Sequence, residues 1–461
     1  MEKDRNETML KSLQTNEKLI LLFFYFIALQ PIIDVLTTFS ITQLQVSATV
    51  GVLIRILYMG VSALFLLINW KNSKIAKYAV IYFTAWGIYL LINLGISYME
   101  KPIFYFGEEI KYLVKLSYFN VVLLNFVFLF RYFSKHLNLA KVFFHNIMIA
   151  SVFIGFVMVI AILTGTSLEA YEWTKTGFTG WFFAGNELGA SLAIILPIVL
   201  YFAILRTEKV KHFAYWIPFI LVSFSLIMIG TKVGYGAVAI TLVMGLISAV
   251  IALFAKVKHF GNLKVSAAFT LALLIVLGAV TPFTPVFLNT YAHIDLLEDQ
   301  RQQAEDQEPV EGVEDEPVEE EDNNLNSLIL SNRDLFLNQF GEYYAEAPVT
   351  QKVFGMGYAG NFEEVPKMIE MDYSDVFYSV GIIGTILYFL PILYIAISAI
   401  RNVFKEFKAI FYPHYALVIS SIVLGLGIAH FAGHVFTAPG VSIYLAIVTA
   451  YFYHHLKEEK A

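Results

Sequence analysis

Residues 183–205 read FAGNELGASLAIILPIVLYFAIL, and this stretch decides the fold class. No charged residue follows Glu187 until Arg206, so the run has about the length that a helix needs to cross a hydrocarbon layer about 30 Å thick. Its apolar residues are continuous rather than alternating, which excludes a barrel strand. The stretch therefore predicts a membrane-spanning α-helix.

Runs of the same kind recur along the whole chain of 461 residues. The twelve predicted spans lie near 19–38, 50–69, 78–98, 111–131, 143–164, 183–205, 213–230, 235–254, 265–284, 375–399, 413–432 and 435–453. Hydrophobic residues make up 58% of the chain and charged residues 15%, and the mean hydropathy is +0.67. Such a balance excludes a soluble enzyme and a disordered protein. We predict an all-α, polytopic membrane protein of about 12 transmembrane helices.

The distribution of lysine and arginine predicts how these spans are oriented. Cytoplasmic loops collect both residue types. With the N-terminus inside, the inside segments hold twenty-one of the 31 bases, whereas 39–49 holds none and 165–182 holds only Lys175. We therefore expect both termini to be cytoplasmic. We also expect the first apolar run to be a retained span, because it is too long for a signal-peptide core.

One long segment divides the chain into three parts. Helices 1–9 occupy 1–284, an extracytoplasmic loop occupies 285–374, and helices 10–12 with a cytoplasmic tail occupy 375–461. The stretch 295–322 holds fourteen acids and one base, a net charge of −13. Since the whole chain carries −6, the remaining residues carry +7. We expect the acidic tract 298–326 to be a disordered, solubilising insertion, with cation binding or polyanion mimicry as the alternative.

The rest of that loop carries two local patterns. Apolar residues at Leu328, Leu335, Leu337 and Phe340 predict an amphipathic helix. The following VFGMGYAGN contains three glycines, which predicts a turn rather than a helix.

Charged residues and histidines gather at the predicted outer ends of the spans, where a charge in a span is a functional candidate. They are Asp34, Arg55, Glu108, Glu109, Lys111, Lys115, Lys232, Asp372, Asp375, His430 and His434. Some have a structural alternative. Asp34 and Arg55 would form an ion pair between helices 1 and 2, Lys111 and Lys115 would neutralise Glu108 and Glu109, and the two histidines would be interface residues, which we favour over a metal site.

Five of the cations run against the positive-inside trend. They are Arg55, Lys111, Lys115, Lys232 and Arg333. Arginine binds phosphate in a bidentate way and lysine binds it as a point charge. The cluster therefore indicates a phosphate group at the membrane surface, and a lipid-linked pyrophosphate meets both requirements.

Three stretches in order along the chain carry a resemblance to a known family. They are GFTGWFFAGNELGASLAIILPIVL with Asn186, LIMIGTKVGYGAVAI with Lys232, and SNRDLFLNQF…VFGMGYAGN…MDYSDVFYSVGIIGTILYF with Arg333, Gly355, Gly357, Gly381 and Gly384. Together with the spans and the long loop before helix 10, they resemble the O-antigen ligase/polymerase family. Its members are multi-span glycosyltransferases that use undecaprenyl-pyrophosphate-linked sugars. Lys232 stands where the family usually has Arg, and Asp372 and Asp375 stand where it often has a His-Asn dyad.

The resemblance implies transfer of an undecaprenyl-pyrophosphate-linked oligosaccharide on the outer face of the bacterial cytoplasmic membrane. Arg333 and Lys232 would stabilise the leaving pyrophosphate, with Arg55, Lys111 and Lys115 as further candidates. Asp375 or Asp372 would accept the acceptor's proton, with Glu370 behind them. Asn186, Gly355 and Gly357 complete the implied substrate-binding set. No metal or other cofactor is required.

The same resemblance implies the partners. They are the lipid-linked glycan donor, a glycan or lipid-glycan acceptor, membrane lipid and other polysaccharide assembly proteins, with no nucleic acid. Polymerase and ligase share the donor chemistry, so both stay open.

Other classes of function remain as alternatives. A lipid-linked sugar flippase suits twelve spans, but transporter sites lie near the midplane and commonly within repeats. A cell-wall glycosyltransferase of the shape and elongation class also has a large outer loop, although its motifs are not found. A structural or sensory membrane protein leaves Arg333 and Lys232 unexplained.

Overall fold

The computed structural model describes residues 2–45, 49–171, 175–257, 260–291, 333–403 and 407–458. The α-helices are α1 (Glu2–Thr42), α2 (Val50–Ile68), α3 (Lys74–Glu100), α4 (Phe106–Phe133), α5 (Leu139–Leu163), α6 (Gly185–Arg206), α7 (Ile217–Ile229), α8 (Lys232–Phe254), α9 (Leu263–Val280), α10 (Arg333–Glu346), α11 (Val349–Phe354), α12 (Asp372–Val403), α13 (Pro413–Phe431) and α14 (Pro439–Glu458). Strands β1 (Leu168–Glu169) and β2 (Phe178–Gly180) pair antiparallel. Short 3-10 helices span Val210–Trp216, Thr281–Phe283 and Phe407–Phe411, and residues 285–291 are also helical.

Eleven helical segments of the described chain are long and apolar enough to cross a membrane, which confirms the all-α polytopic class. The predicted number was twelve. The missing one, 435–453, lies on α14, a 20-residue helix that is not among the eleven. The last turns of α14 carry tyrosines and histidines, and these lower its hydropathy.

Helix α14 nevertheless runs the length of the bundle. Its first turn packs against Arg55, since a Cβ on Gly440 would lie 2.9 Å from that guanidinium. Near its other end, the ring of His454 stacks on Phe130 in the last turn of α4. Residues 441–454 are all buried. A helix enclosed by other helices needs less apolar surface than one that faces lipid, and this explains how α14 tolerates its polar residues.

The starts of several helices are set by short-range hydrogen bonds. The side chains of Thr49, Ser73, Asn138, Thr231 and Asn262 each accept a hydrogen bond from a backbone N–H in the first turn that follows. Such N-caps satisfy donors that the helix itself leaves open. The polar linkers therefore define where α2, α3, α5, α8 and α9 begin.

The centre of the bundle is formed by α4 and α6. In the most apolar stretch of α4, 78% of the residues are buried, and in that of α6, 89% are buried. The corresponding fraction is 22% in both α3 and α9. Helices α4 and α6 therefore form the interior, and α3 and α9 present most of their surface outward.

The described part of the long loop before α12 packs onto this bundle. Helix α10 confirms a helix from Arg333 onward, and its Phe340 is buried, but Leu335 of the predicted apolar face is exposed. The predicted turn is confirmed at Gly355–Gly360, where three glycines have positive φ. Helix α11 before it was not predicted. The acidic tract 298–326 and Leu328 lie outside the described residues.

Helix α12 is broken at Gly381, whose φ of 64° and ψ of −173° lie outside the helical region. The break leaves carbonyls of the preceding turn available to other partners. The Ser379 carbonyl accepts from Asn93 Nδ2 at 2.9 Å and from the backbone N–H of Gly357 at 2.9 Å, and the Val380 carbonyl accepts from Tyr89 Oη. The first half of α12 is thereby tied to α3 and to the loop after α11.

We expect Gly381→Ala to destabilise the protein by about 1–3 kcal/mol, because this backbone conformation is almost restricted to glycine. A Cβ there would also lie 2.4 Å from the backbone nitrogen of Gly355. The midpoint of thermal unfolding in detergent measures the effect. Gly87→Ala is the control, since a Cβ on that helical residue meets no atom within 4 Å. An equal midpoint for both variants would contradict the prediction.

Candidate functional site

Five helix termini that the sequence assigns to one side of the membrane meet around a cavity of about 450 Å³. It lies between the C-terminal half of α1, the first turns of α2, α4 and α6, and the segment that leads into α14. Most lining side chains are apolar. The charged ones are Asp34, Arg55, Lys111, Lys115 and Glu187. An apolar pocket with a few convergent charges suits a ligand that has both a lipid part and a charged part.

Arg55 is buried in the cavity wall and pairs with Asp34. Its Nε also donates to Gln30 Oε1 at 3.0 Å. The predicted ion pair between helices 1 and 2 is confirmed. Because both partners also line the cavity, the pair joins the helices and contributes to the site at once.

The lysines of α4 differ from each other. Lys111 Nζ lies 3.2 Å from Glu108 Oε2 in an exposed pair, as the pairing alternative predicted. The predicted pairing of Lys115 with Glu109 is wrong, because Lys101 Nζ lies 2.5 Å from Glu109 Oε1 and takes that carboxylate. Lys101 follows α3 directly, and only the packing of α3 on α4 reveals it as the partner. Lys115 faces the cavity instead.

A second charged group brings together three distant parts of the chain. Arg333 begins α10, Glu370 precedes α12, and His434 lies between α13 and α14. A guanidinium nitrogen of Arg333 lies 3.5 Å from Glu370 Oε2, and His434 Nε2 lies 3.7 Å from the same oxygen. The three side chains are 14%, 38% and 29% exposed, so each is partly open to a substrate.

The two loops that carry Glu370 and His434 are pressed together in an unusual conformation. Glu370 and His434 have φ of 64° and 59°, which non-glycine residues rarely adopt. A Cβ on Gly433 would lie 2.5 Å from the Glu370 carbonyl oxygen. Backbone strain of this kind persists only where the surroundings hold it, and it gathers at functional sites.

Asp372 and Asp375, the two predicted bases, hold these loops in place. Asp372 Oδ2 accepts from the backbone N–H groups of Val435 and Phe436, each at 2.7 Å. Asp375 accepts from the N–H groups of Ile369 at 3.0 Å and Met371 at 3.1 Å. Both carboxylates are almost completely buried. Their role as bases stays a prediction, and their hydrogen bonds favour a positioning role.

The electrostatics of the second group favour an ion pair between imidazolium and carboxylate. Burial lowers the pKa of His434, but the nearby Glu370 carboxylate and the charges of Glu187 and Asp372 outweigh it, so the pKa is raised overall. The pKa of Glu370 is lowered, chiefly by its contact with His434, against burial and with help from Arg333 and Lys367. His434 therefore keeps its proton to a higher pH than a free imidazole does, and Glu370 stabilises that protonated form.

Glu187 joins the cavity to this second group. It lines the cavity, and it interacts electrostatically with His434, Asp34, Arg55 and Lys115. Thr437 makes a second connection, because it lines the cavity and its hydroxyl donates to Asp372 Oδ1 at 3.1 Å. Arg333, Glu370 and His434 do not themselves line the cavity, but Glu187 and Thr437 place this group next to it.

The other predicted site residues lie around this site or away from it. Asn186 is exposed in the first turn of α6, beside Glu187. Lys232 is exposed at the first residue of α8, near Lys175, and does not line the cavity. Gly355 and Gly357 have φ of 100° and 75° and allow a close approach to α12 and α4.

The sequence did not indicate that His434 and Glu187 lie beside the charged side chains of this site. His434 was interpreted as an interface histidine, an interpretation that suits His430, whose ring packs against Tyr373 and Phe431. The available signal for Glu187 was an acid in the first turn of a long apolar span. For His434 it was a histidine after a glycine between two spans, in a chain that lacks the dyad of the family it resembles.

Comparison with known proteins gives one match of nearly full length. The profile of a family described as O-antigen ligase like membrane protein matches residues 16–459. No curated protein matches the chain.

Proposed function

The chain belongs to the O-antigen ligase-like membrane protein family, and from that premise we propose that it transfers undecaprenyl-pyrophosphate-linked oligosaccharide to an acceptor hydroxyl on the outer face of the bacterial cytoplasmic membrane. Family membership makes it a multi-pass membrane protein with a role in glycan processing by glycosyl transfer. The finer proposal is a surface polysaccharide polymerase or an O-antigen ligase.

The observation that carries this proposal is the proximity of an apolar, cation-bearing cavity to a carboxylate–imidazole pair. The cavity walls suit the lipid end of the donor, and Arg55 and Lys115 suit its pyrophosphate. Arg333 adds a cation beside Glu370. The reaction needs cations to stabilise the leaving group and a base to remove the acceptor proton, and both kinds of group lie close together here.

The proposed reaction breaks one bond and forms one. The acceptor oxygen attacks the anomeric carbon of the donor, and the bond from that carbon to the pyrophosphate oxygen breaks. The electron pair leaves on the pyrophosphate, where Arg333 and the cavity cations stabilise the growing charge. The acceptor proton moves to His434, whose imidazolium form Glu370 stabilises. Asp372 and Asp375 position the loops.

A reconstituted assay tests the function. The purified protein in lipid vesicles receives an undecaprenyl-pyrophosphate-linked oligosaccharide and either a second such molecule or a lipid-glycan acceptor. A ladder of lengthened glycans supports a polymerase, and transfer to the lipid-glycan supports a ligase. Movement of intact donor across the vesicle membrane with no new glycosidic bond would contradict both and favour the flippase.

The pH dependence of transfer tests the pairing of His434 with Glu370. Transfer needs neutral imidazole, so its rate falls as the pH drops through the pKa of His434. Glu370 raises that pKa, and Glu370→Gln is therefore expected to move the acidic limb of the rate profile to lower pH. The exposed Glu363 in the same loop is the control, since Glu363→Gln leaves the limb in place. An unmoved limb in Glu370→Gln would refute the pairing.

A further inference from the structure

Lys101 and Glu109 form a buried ion pair outside the proposed site. Lys101 Nζ lies 2.5 Å from Glu109 Oε1, and each side chain is only 1% exposed. Burial lowers the pKa of Lys101, and Glu109 opposes this. Two charges are costly to bury unless their other hydrogen-bonding positions are also used. The groups that hydrogen-bond to the pair therefore indicate its role.

Both members of the pair bind the same residue of the outer loop. Lys101 Nζ donates to the Tyr358 carbonyl at 2.5 Å, and Glu109 Oε2 accepts from the Tyr358 N–H at 2.8 Å. The ammonium also lies 5.3 Å from the centre of the Phe362 ring. A Cβ on Gly357 would lie 2.8 Å from Glu109 Oε2, so only glycine fits beside the pair. The charges are thus directed at the Gly357–Tyr358 segment.

This segment is in turn bonded to the first half of α12. The N–H of Met356 donates to the Tyr378 carbonyl at 2.8 Å, and the N–H of Gly357 donates to the Ser379 carbonyl at 2.9 Å. Those carbonyls belong to the turn that the break at Gly381 leaves open. The other end of the same half-helix carries Asp372 and Asp375, which hold the loops of His434 and Glu370.

Helix α4 relates this contact to the cavity. Glu109 and Tyr112 lie on its buried side, where Tyr112 Oη donates to the Asp375 carbonyl at 3.3 Å. Lys111 and Lys115 lie on the side that lines the cavity. One rigid helix therefore carries both the proposed cations and the residues that hold the half-helix.

We propose that Lys101 and Glu109 are positioning residues for glycosyl transfer. They hold the Gly357–Tyr358 segment, which is hydrogen-bonded to the first half of α12. Through that half-helix they keep Glu370 and His434 at a fixed distance and orientation relative to the cations on the other side of α4. This inference rests on the proposed function. If the pair positions these residues, neutralising it lowers the rate of transfer by more than the loss of folding stability accounts for.

Paired neutral substitutions separate positioning from stability. Lys101→Met or Glu109→Gln alone leaves one buried charge without its partner, and a lower thermal midpoint is expected. The double variant Lys101→Met/Glu109→Gln removes both charges and is expected to regain most of the midpoint. Its kcat is expected to stay about 10- to 100-fold below that of the unaltered protein, with KM for the donor little changed. A double variant with unaltered midpoint and unaltered kcat would overturn the proposal.

Glu100→Gln is the matched control. Glu100 is the residue before Lys101, is exposed, and its Oε1 accepts from Thr350 of α11 at 3.3 Å. It therefore contacts the same loop without touching Tyr358, and its kcat is expected to match that of the unaltered protein. A fall in kcat equal to that of the double variant would overturn the assignment to Lys101 and Glu109.

A distance measurement tests the positioning without any enzyme assay. The chain has no cysteine, so spin labels attach only at Met99→Cys on α3 and Glu364→Cys in the loop, both exposed positions. We expect a narrow distribution of label distances, and a broader one when Lys101→Met/Glu109→Gln is added. An unbroadened distribution would overturn the proposal. If the unaltered protein transfers no glycan, the proposed function fails, and the label distances still decide whether the pair holds the loop.

Discussion

Replacing His434 with glutamine is expected to lower the rate of glycosyl transfer by about 10²- to 10⁴-fold, the range for loss of a general base. Glutamine keeps much of the size and polarity of the side chain, so the loops held by Asp372 should stay in place. Transfer by purified protein in vesicles, followed at several pH values, measures the effect. The residual activity should also lose the acidic limb that His434 imposes on the rate profile.

His430→Gln is the matched control for this experiment. His430 lies four residues earlier, is exposed, and its ring contacts are with Tyr373 and Phe431. Its rate is expected to be close to that of the unaltered protein. Two results together would instead support the prediction from the sequence that Asp375 is the base. They are full activity in His434→Gln and loss of activity in Asp375→Asn at an unchanged thermal midpoint.

Arg333→Ala carries the second large effect. Removing a preorganised donor to a developing negative charge costs about 10²- to 10³-fold in rate, and we expect a fall in kcat of that order. Arg333→Lys should recover part of the rate, since it keeps the charge but loses the planar fork that fits a pyrophosphate. The measurement is the initial rate of glycan transfer from the undecaprenyl-pyrophosphate donor. Normal long-chain product from Arg333→Ala would remove Arg333 from the leaving-group site.

Lys352→Met is the control for a loss of positive charge from the long loop before α12. Lys352 lies in α11, and its Nζ donates to the Ala345 carbonyl at 2.9 Å in an exposed contact. It is outside the proposed site, so its rate is expected to be unchanged. Equal losses in Lys352→Met and Arg333→Ala would indicate a general effect of loop charge rather than a contact with pyrophosphate.

The two carboxylates predicted as bases illustrate what sequence reasoning can and cannot reach. Asp372 and Asp375 were found because charges are rare at the ends of apolar spans, and the structure places both beside the site. Their hydrogen-bond partners could not be predicted. Asp372 accepts a hydrogen bond from the backbone N–H of Phe436, which lies 64 residues away in the chain. No pattern in the sequence near either residue indicates that contact.

Local sequence patterns predict the fold class, the position of nearly every membrane helix, the glycine turn at Gly355–Gly360 and the helix ends that carry charge. Each depends on local composition, because backbone polar groups in lipid must be paired within the segment and turns depend on their own residues. Tertiary structure alone decided that Lys101 rather than Lys115 pairs with Glu109, that His434 meets Glu370, and that α14 is enclosed by the bundle. Those outcomes depend on which helix faces pack together, and Glu109 reaches Tyr358 across 249 residues of chain. A buried polar side chain must find a partner among the residues packed around it, and a local stretch of sequence does not show which residues those are.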